Sequence, residues 1–302
     1  MYPNPLKKGD RVALITPSSP IAKDENVEFA IGYFKKLGFE PVEGANCRRQ
    51  YGHLAGFDSE RAADFNWAFG DDSIKGVFCI RGGNGAAKIL DRVDFGAVAK
   101  NPKLFCGYSD ISALHAAIHQ KTGLITYHTP LAGDESFTVA DGYTLAQFEK
   151  YILNPNAKGA IEKPPGHSWE FLVEGKAEGP LCGGNLSCLS ALMGTPYELD
   201  TEGKIFFIEE VGEKPPRIDR KLNAFKMAGK FDGCVGVIFG GFTNCKIDNP
   251  ASSLDILTIV KNLELKVPVV WGFPCGHSLP TASLPLGANA RLDSANSSIE
   301  LI

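Results

Sequence analysis

Short runs of apolar, often β-branched residues recur through the first half of the chain. They alternate with stretches whose apolar positions fall at helical spacing. Arg11–Pro17 (RVALITP) is the first such run. Glu25–Leu37 is amphipathic and is followed by Gly38, a residue suited to ending a helix. Asp58–Phe69 carries a second helical pattern, with Asp58 or Ser59 as its expected N-cap. Gly76–Ile80 (GVFCI) and Lys103–Gly107 predict strands, Ile111–Gln120 a helix and Ile125–His128 a further strand. Strands that are apolar throughout, separated by helices, predict a parallel sheet covered on both faces. The N-terminal half is therefore expected to be a doubly wound α/β domain.

The pattern weakens over Asn154–Ser168, where Pro155, Gly159, Pro164, Pro165 and Gly166 cluster. Such punctuation predicts a linker. The expected organisation is an N-terminal domain over 1–153, a linker over 154–168 and a smaller mixed α/β domain over 169–302. In this last part Lys204–Val211, Val235–Phe239 and Pro268–Trp271 predict buried strands. Ile218–Ala228 and Leu254–Leu263 predict helices, and Leu284–Leu292 and Ser297–Ile302 predict terminal strands. No internal repeat or low-complexity tract is visible.

Composition narrows the function classes. The 302 residues suffice for one large domain or two ordinary ones, and 44% hydrophobic with 22% charged residues fits a globular protein. A net charge of -4 without a long basic run leaves no electrostatic footprint for a nucleic-acid partner. The first ten residues, MYPNPLKKGD, lack the apolar core of a secretory signal, and no run reaches the ~18 apolar residues of a membrane span. Several of the eight cysteines lie inside apolar runs and none has CxxC spacing. They read as buried thiols of a reduced, cytoplasmic protein, with no structural zinc and no cofactor expected.

In parallel sheets ligands bind beyond the carboxyl ends of the strands, so chemistry is sought just after each apolar run. Gly107–Tyr108–Ser109–Asp110 places a serine on a strand-to-helix turn. Its hydroxyl would project clear of the sheet, and the Asp110 N–H would face a developing oxyanion. The turn resembles the GxSxG elbow without its second glycine, since position 111 is Ile. Ser109 or Asp110 serving only as a helix cap is the competing reading. Arg81–Gly82–Gly83–Asn84–Gly85 is a tight loop able to offer N–H groups to an anion. It matches neither a P-loop nor GxGxxG, and an ordinary turn is the alternative. Glu209 and Glu210 end a strand and must point to opposite faces, so one can reach a cleft while the other is solvated. His277, after Val269–Val270–Trp271, is suited to shuttling a proton, or is simply a turn residue. His115 and His119 have zinc-ligand spacing, but Ala116 replaces the glutamate of HExxH. His128, after another strand, could line the same cleft.

The chain order Ser109, Glu209, His277 and the segments around them resemble the serine LD-carboxypeptidase family, which includes the microcin-C immunity hydrolases. The likeness runs through Lys8–Ala13, Pro17–Pro20, Arg81–Gly85, Gly107–Asp110, Gly183–Leu186, Gly194–Pro196, Ile208–Glu213, Arg217–Arg220 and Gly272–His277. It implies an N-terminal domain like that of class I glutamine amidotransferases and a smaller mixed domain, together holding a Ser-His-Glu triad. Carried over, Ser109 is the nucleophile, His277 the general base and Glu209 the orienting acid. Glu210 stands where relatives commonly have Asp, which leaves the choice of acid open. Gly83 and Asp110 would supply the oxyanion N–H groups. Thr129 and Asn84 depart from residues common in relatives and would alter the pocket wall.

The resemblance implies a homodimer that releases the terminal D-alanine of murein tetrapeptides, a small peptide substrate carrying a D-amino acid. Arg81 and Arg217 are candidate partners for the substrate carboxylate, with internal salt bridging as their alternative. A second implied activity keeps the triad and cleaves a peptidyl-aminoacyl nucleotide. Two further possibilities are a non-catalytic binder of a small ligand and a cysteine amidotransferase. The latter would require a nucleophilic cysteine at the elbow, and Cys106 lies three residues too early.

Overall fold

The structure, a computed structural model, describes residues 1–247, 249 and 251–302. The chain forms two compact units, one of Met1–Ala157 with Ser283–Leu286, the other of Lys158–Ala282 with Gly287–Ile302.

The first unit alternates strand and helix. Its elements are β1 (Arg11–Ile15), α1 (Asp24–Lys36), β2 (Glu40–Glu43), α2 (Asp58–Gly70), β3 (Ile74–Cys79) and α3 (Phe95–Lys100). They are followed by β4 (Leu104–Gly107), α4 (Ser112–Thr122), β5 (Thr126–His128), α5 (Glu135–Thr138) and α6 (Gly142–Leu153). Strands β2-β1-β3-β4-β5 pair in that order and all run parallel. Apart from Arg11 and Lys75 at their starts, β1, β3 and β4 are buried, as a sheet packed on both faces requires. Phe78 stands beside Cys106 across β3 and β4, and Phe105 beside Val77, so the two phenylalanines point to opposite faces. On one face Phe78 packs against Phe34 of α1 and Phe148 of α6, and on the other Phe105 packs against Phe65 and Phe69 of α2. Fully burying each such ring is worth about 1.5–3 kcal/mol, which makes these clusters the framework that holds the strand ends.

In the second unit β6 (Gly159–Ala160), β7 (Glu170–Val173) and β8 (Lys176–Asn185) lead into α7 (Leu186–Ser190) and β9 (Ile205–Val211). Then come α8 (Pro215–Met227), β10 (Gly236–Thr243), α9 (Ile256–Lys261) and β11 (Val269–Trp271). After β12 (Leu284–Leu286) the chain closes with β13 (Asn289–Asp293) and β14 (Ser298–Leu301). The sheet order is β6-β14-β13-β8-β9-β10-β11-β7, with β8 to β11 parallel and both flanks antiparallel. The ten-residue β8 serves both parts, since Lys176–Pro180 pairs with β13 and Leu181–Asn185 with β9.

Several sequence expectations change. The region 154–168 is not wholly a linker: the units divide after Ala157, and Gly159–Ala160 adds to β14. Nor do residues 169–302 all belong to the second unit. Leu284–Leu292 is interrupted at Gly287, whose φ is +95°, and β12 pairs antiparallel with β5 of the first sheet. It satisfies an edge that would otherwise expose backbone donors and acceptors. The N-cap of α2 is Phe57 rather than Asp58 or Ser59, because the Glu60 carboxylate accepts the Phe57 N–H at 2.9 Å.

Candidate active site

The loops after β1, β3 and β4 sit at the carboxyl ends of adjacent strands, where the strand order reverses between β1 and β3. They are bonded into one assembly. The Ser19 N–H donates to Gly82 O at 3.1 Å, and the Ser19 hydroxyl accepts the Asn84 N–H at 3.1 Å. The buried Asp110 carboxylate accepts the Ser18 hydroxyl and the Ala86 N–H, both at 2.7 Å. Arg61, buried on α2, donates to Pro17 O at 2.6 Å and Gly85 O at 2.7 Å and pairs with Asp58. Its guanidinium thus ties two loops whose carbonyls would otherwise be costly to bury.

Ser109 stands in this assembly with φ +65°. For a residue with a Cβ the left-handed region costs roughly 1–2 kcal/mol, and such strain concentrates at functional positions. The side chain is partly exposed. A Cβ on Gly82 would lie 3.0 Å from Ser109 Cβ and 3.2 Å from its Oγ, so only glycine lets the neighbouring loop come this close without crowding. The N-cap positions of the 3-10 turn Ser109–Ile111 and of α4 are Tyr108 and Ile111, and neither side chain makes a cap bond. The Asp110 carboxylate accepts from Ser18 and Ala86. Gly83 is exposed at φ +105°, and the Ser19 side chain occupies the place its Cβ would need.

Beneath the turn, His115 Nε2 lies 2.9 Å from Gly107 O. Burial pushes its pKa down to about 4, so the ring is neutral. His119 turns Nδ1 to Leu124 O at 3.2 Å. The zinc-like spacing therefore serves backbone carbonyls, and among the described residues no group of three or more His, Cys, Asp or Glu could hold a metal ion. Buried His128 packs its ring edge-on against Tyr108 at 5.8 Å. Cys106 is fully buried, and desolvation holds its thiol far above the usual range, which is the opposite of an activated nucleophile.

In the second unit the adjacent glutamates of β9 separate as their alternation requires. Glu209 is completely buried, and its Oε2 lies 2.7 Å from His277 Nδ1. A carboxylate only accepts, so Nδ1 carries the hydrogen and Nε2 is left as the basic nitrogen. The His277 loop is held to β10 by Gly241 N–H to Cys275 O at 2.9 Å and Phe273 N–H to Phe239 O at 3.1 Å. Gly276, at φ +133°, is demanded twice over, because a Cβ there would lie 2.8 Å from Glu209 Oε2. Glu210 points elsewhere. Its carboxylate accepts the Asn185 amide at 3.2 Å, the Val211 N–H at 2.8 Å, and the N–H of Ser187 in α7 at 2.9 Å, along with the Ser187 hydroxyl. That hydroxyl also accepts from Lys221 Nζ at 2.6 Å.

Of the remaining candidates, Arg81 pairs with Asp134 and Arg217 lies 3.6 Å from Glu213, so both have carboxylate partners within the chain. Asn84 is exposed on the glycine loop. Ser109, Asp110, Gly83, Asn84 and Arg81 lie in the first unit, and Glu209, His277 and Arg217 in the second.

Residues 12–129 match the family model for the LD-carboxypeptidase N-terminal domain, and residues 178–292 that for the LD-carboxypeptidase C-terminal domain. The chain belongs to the LD-carboxypeptidase family. It is accordingly an enzyme of the serine carboxypeptidase type, as the order of its motifs implied. Over 97% of its length it is 39% identical to a Bacillus subtilis protein called probable murein peptide carboxypeptidase, 92% of which is covered. Among solved structures, an MccF-like protein from Bacillus anthracis superposes with a TM-score of 0.89 at 29% identity, covering 100% of this chain and 99% of that one. A muramoyltetrapeptide carboxypeptidase from Oxalobacter formigenes superposes at 0.81 and 28%, covering 96% and 97%.

Sequence reasoning missed the supporting residues. Gly82 and Gly276 carried a local signal as glycines beside candidate side chains. Ser18 and Ser19 stood in the Pro17–Pro20 turn, but nothing indicated what they bind. Arg61 gave no signal, because an arginine in an amphipathic helix is ordinarily solvated.

Proposed function

We propose that the enzyme releases the terminal D-alanine of murein tetrapeptides in cell-wall recycling. Ser109 attacks the scissile carbonyl, and His277 receives the hydroxyl proton through Nε2. Glu209 fixes the ring and stabilises its cation. The N–H groups of Gly83 and Asp110 stabilise the tetrahedral oxyanion, each worth about 3 kcal/mol in comparable sites. His277 then protonates the departing amine, and water opens the acyl-enzyme by the same relay. Arg81 and Asn84 supply polar contacts to the substrate, with Arg81 exchanging Asp134 for the substrate carboxylate.

The observation that carries this reading is the left-handed backbone of Ser109 beside Gly82, a strain with no structural use in a mere cap. The Glu209–His277 pair supports it, since the carboxylate draws the ring hydrogen to Nδ1 and makes Nε2 the basic nitrogen. All eight cysteines are free thiols, which supports a reduced, cytoplasmic setting. We further propose a homodimer, which light scattering will report directly. Release of D-alanine from a murein tetrapeptide tests the activity: the wild type turns it over and Ser109→Ala does not. Full turnover by Ser109→Ala would refute the assignment.

A further inference from the structure

A cavity of about 330 Å3 opens at the same end of the first sheet as Ser109, and the mechanism above does not use it. It lies where α2 begins and where the 3-10 turn Ala86–Arg92 leaves the glycine loop, and both places follow the carboxyl end of a parallel strand. Leu54 lines it, and Leu54 Cδ2 would stand 2.7 Å from a Cβ on Gly85. The cavity is thus joined to the loop whose Gly82 touches Ser109.

Tyr51 and Phe57 form one wall. Their rings are 4.6 Å apart, tilted by 40°, and the residues are 56% and 55% exposed. Two large aromatics paired in solvent are a costly arrangement unless something covers them. Lys88 and Arg92, both exposed, supply cations, and Asp58 and Ser59 supply oxygens. An apolar platform with a few convergent polar groups is the ordinary chemistry of a small-molecule subsite.

We propose that this cavity holds the sugar end of a sugar-bearing murein peptide. The proposal rests on the reading that murein peptides are the substrate. Tilted rings present a corrugated apolar surface, which suits the C–H face of a pyranose better than the parallel slot a planar base needs. Ser59, and Asp58 beside its pairings with Arg61 and with Lys88 at 4.0 Å, provide the hydroxyl partners a sugar requires, and Arg92 meets a free carboxylate of the attached peptide. The subsite would distinguish sugar-linked peptides from free tetrapeptide by binding remote from the reacting bond.

The test compares a muramyl-linked tetrapeptide with the free tetrapeptide, using wild type and Tyr51→Ala/Phe57→Ala. The expected result is that the variant loses roughly tenfold in kcat/KM on the sugar-linked substrate, through KM, and is unchanged on the free peptide. Equal effects on both substrates, or none on either, would overturn the proposal. Calorimetric binding of the sugar-linked peptide to Ser109→Ala, with and without the aromatic pair, separates the subsite from the reaction. Aromatic-dependent binding supports the subsite even if D-alanine release is never observed. Aromatic-dependent binding of a peptidyl nucleotide but not of the sugar-linked peptide would overturn it.

Discussion

Exchanging Glu209 for glutamine keeps the shape of the side chain and removes its charge. The carboxylate Oε2 lies 2.7 Å from His277 Nδ1 and the side chain has no exposed surface, so no solvent replaces what is lost. A hydrogen bond to a charged group is worth about 1.5–3 kcal/mol and a neutral one about 0.5–1.5, so correct placement of the amide oxygen still forfeits about 1–2 kcal/mol. At 1.36 kcal/mol per decade that is roughly five- to thirtyfold in kcat. If the amide NH2 faces Nδ1 instead, the ring hydrogen moves to Nε2 and the base is gone. The corresponding change in a serine protease costs about 10^4. Glu209→Gln is therefore expected to lower kcat by between about fivefold and about 10^4, with little change in KM. Glu210→Gln is expected to spare the reaction. Its carboxylate accepts from Asn185, Ser187 and Val211, and an amide cannot serve all of them, so Tm falls while kcat stays within about threefold. Steady-state D-alanine release and thermal melts on both variants decide the matter. A Glu209→Gln enzyme within about threefold of wild type, or a Glu210→Gln enzyme crippled at unchanged Tm, would refute the assignment of the acid.

Three further outcomes follow from geometry already described. Ser109→Gly should abolish turnover yet raise Tm by about 2–4 °C, because relief of the left-handed strain is worth about 1 kcal/mol after glycine's own entropic cost; a lowered Tm would deny the strain. Gly82→Ala should reduce kcat by at least about tenfold without a comparable loss of Tm, since the added methyl crowds the Ser109 Oγ; unaltered kinetics would show that the hydroxyl works from another rotamer. His115, neutral when folded and held at about 4 against about 6.5 unfolded, binds more protons in the unfolded chain, so stability is full above pH 6.5 and falls towards pH 4 by roughly 3 kcal/mol. Denaturant melts should show this slope in wild type and a flatter one in His115→Gln.

The sequence made the first sheet legible because its strands are buried on both faces and read as unbroken apolar runs. That legibility placed Ser109 and the glycine loop at strand ends. Lys176–Asn185 escaped notice as a strand because KAEGPLCGGN is rich in glycine and proline, although its second half pairs with β9 residue for residue. Alternation foretold that Glu209 and Glu210 diverge, but not which of them meets a histidine 68 residues away. The arginines show the same boundary. Charge nominated Arg81 for a substrate carboxylate, while Asp134, 53 residues on, was invisible to local pattern.

Strand β12 carries a consequence for how the protein is made. The sheet that bears Ser109 is not complete until Leu284–Leu286 has been synthesised. During translation the unit that carries Ser109 waits with the β5 edge unpaired, while His277 emerges only a few residues before the strand that seals it. A ribosome that stalls before Leu286 releases a chain with its first sheet unfinished. The sheet that carries Ser109 and the loop that carries His277 are thus completed almost together.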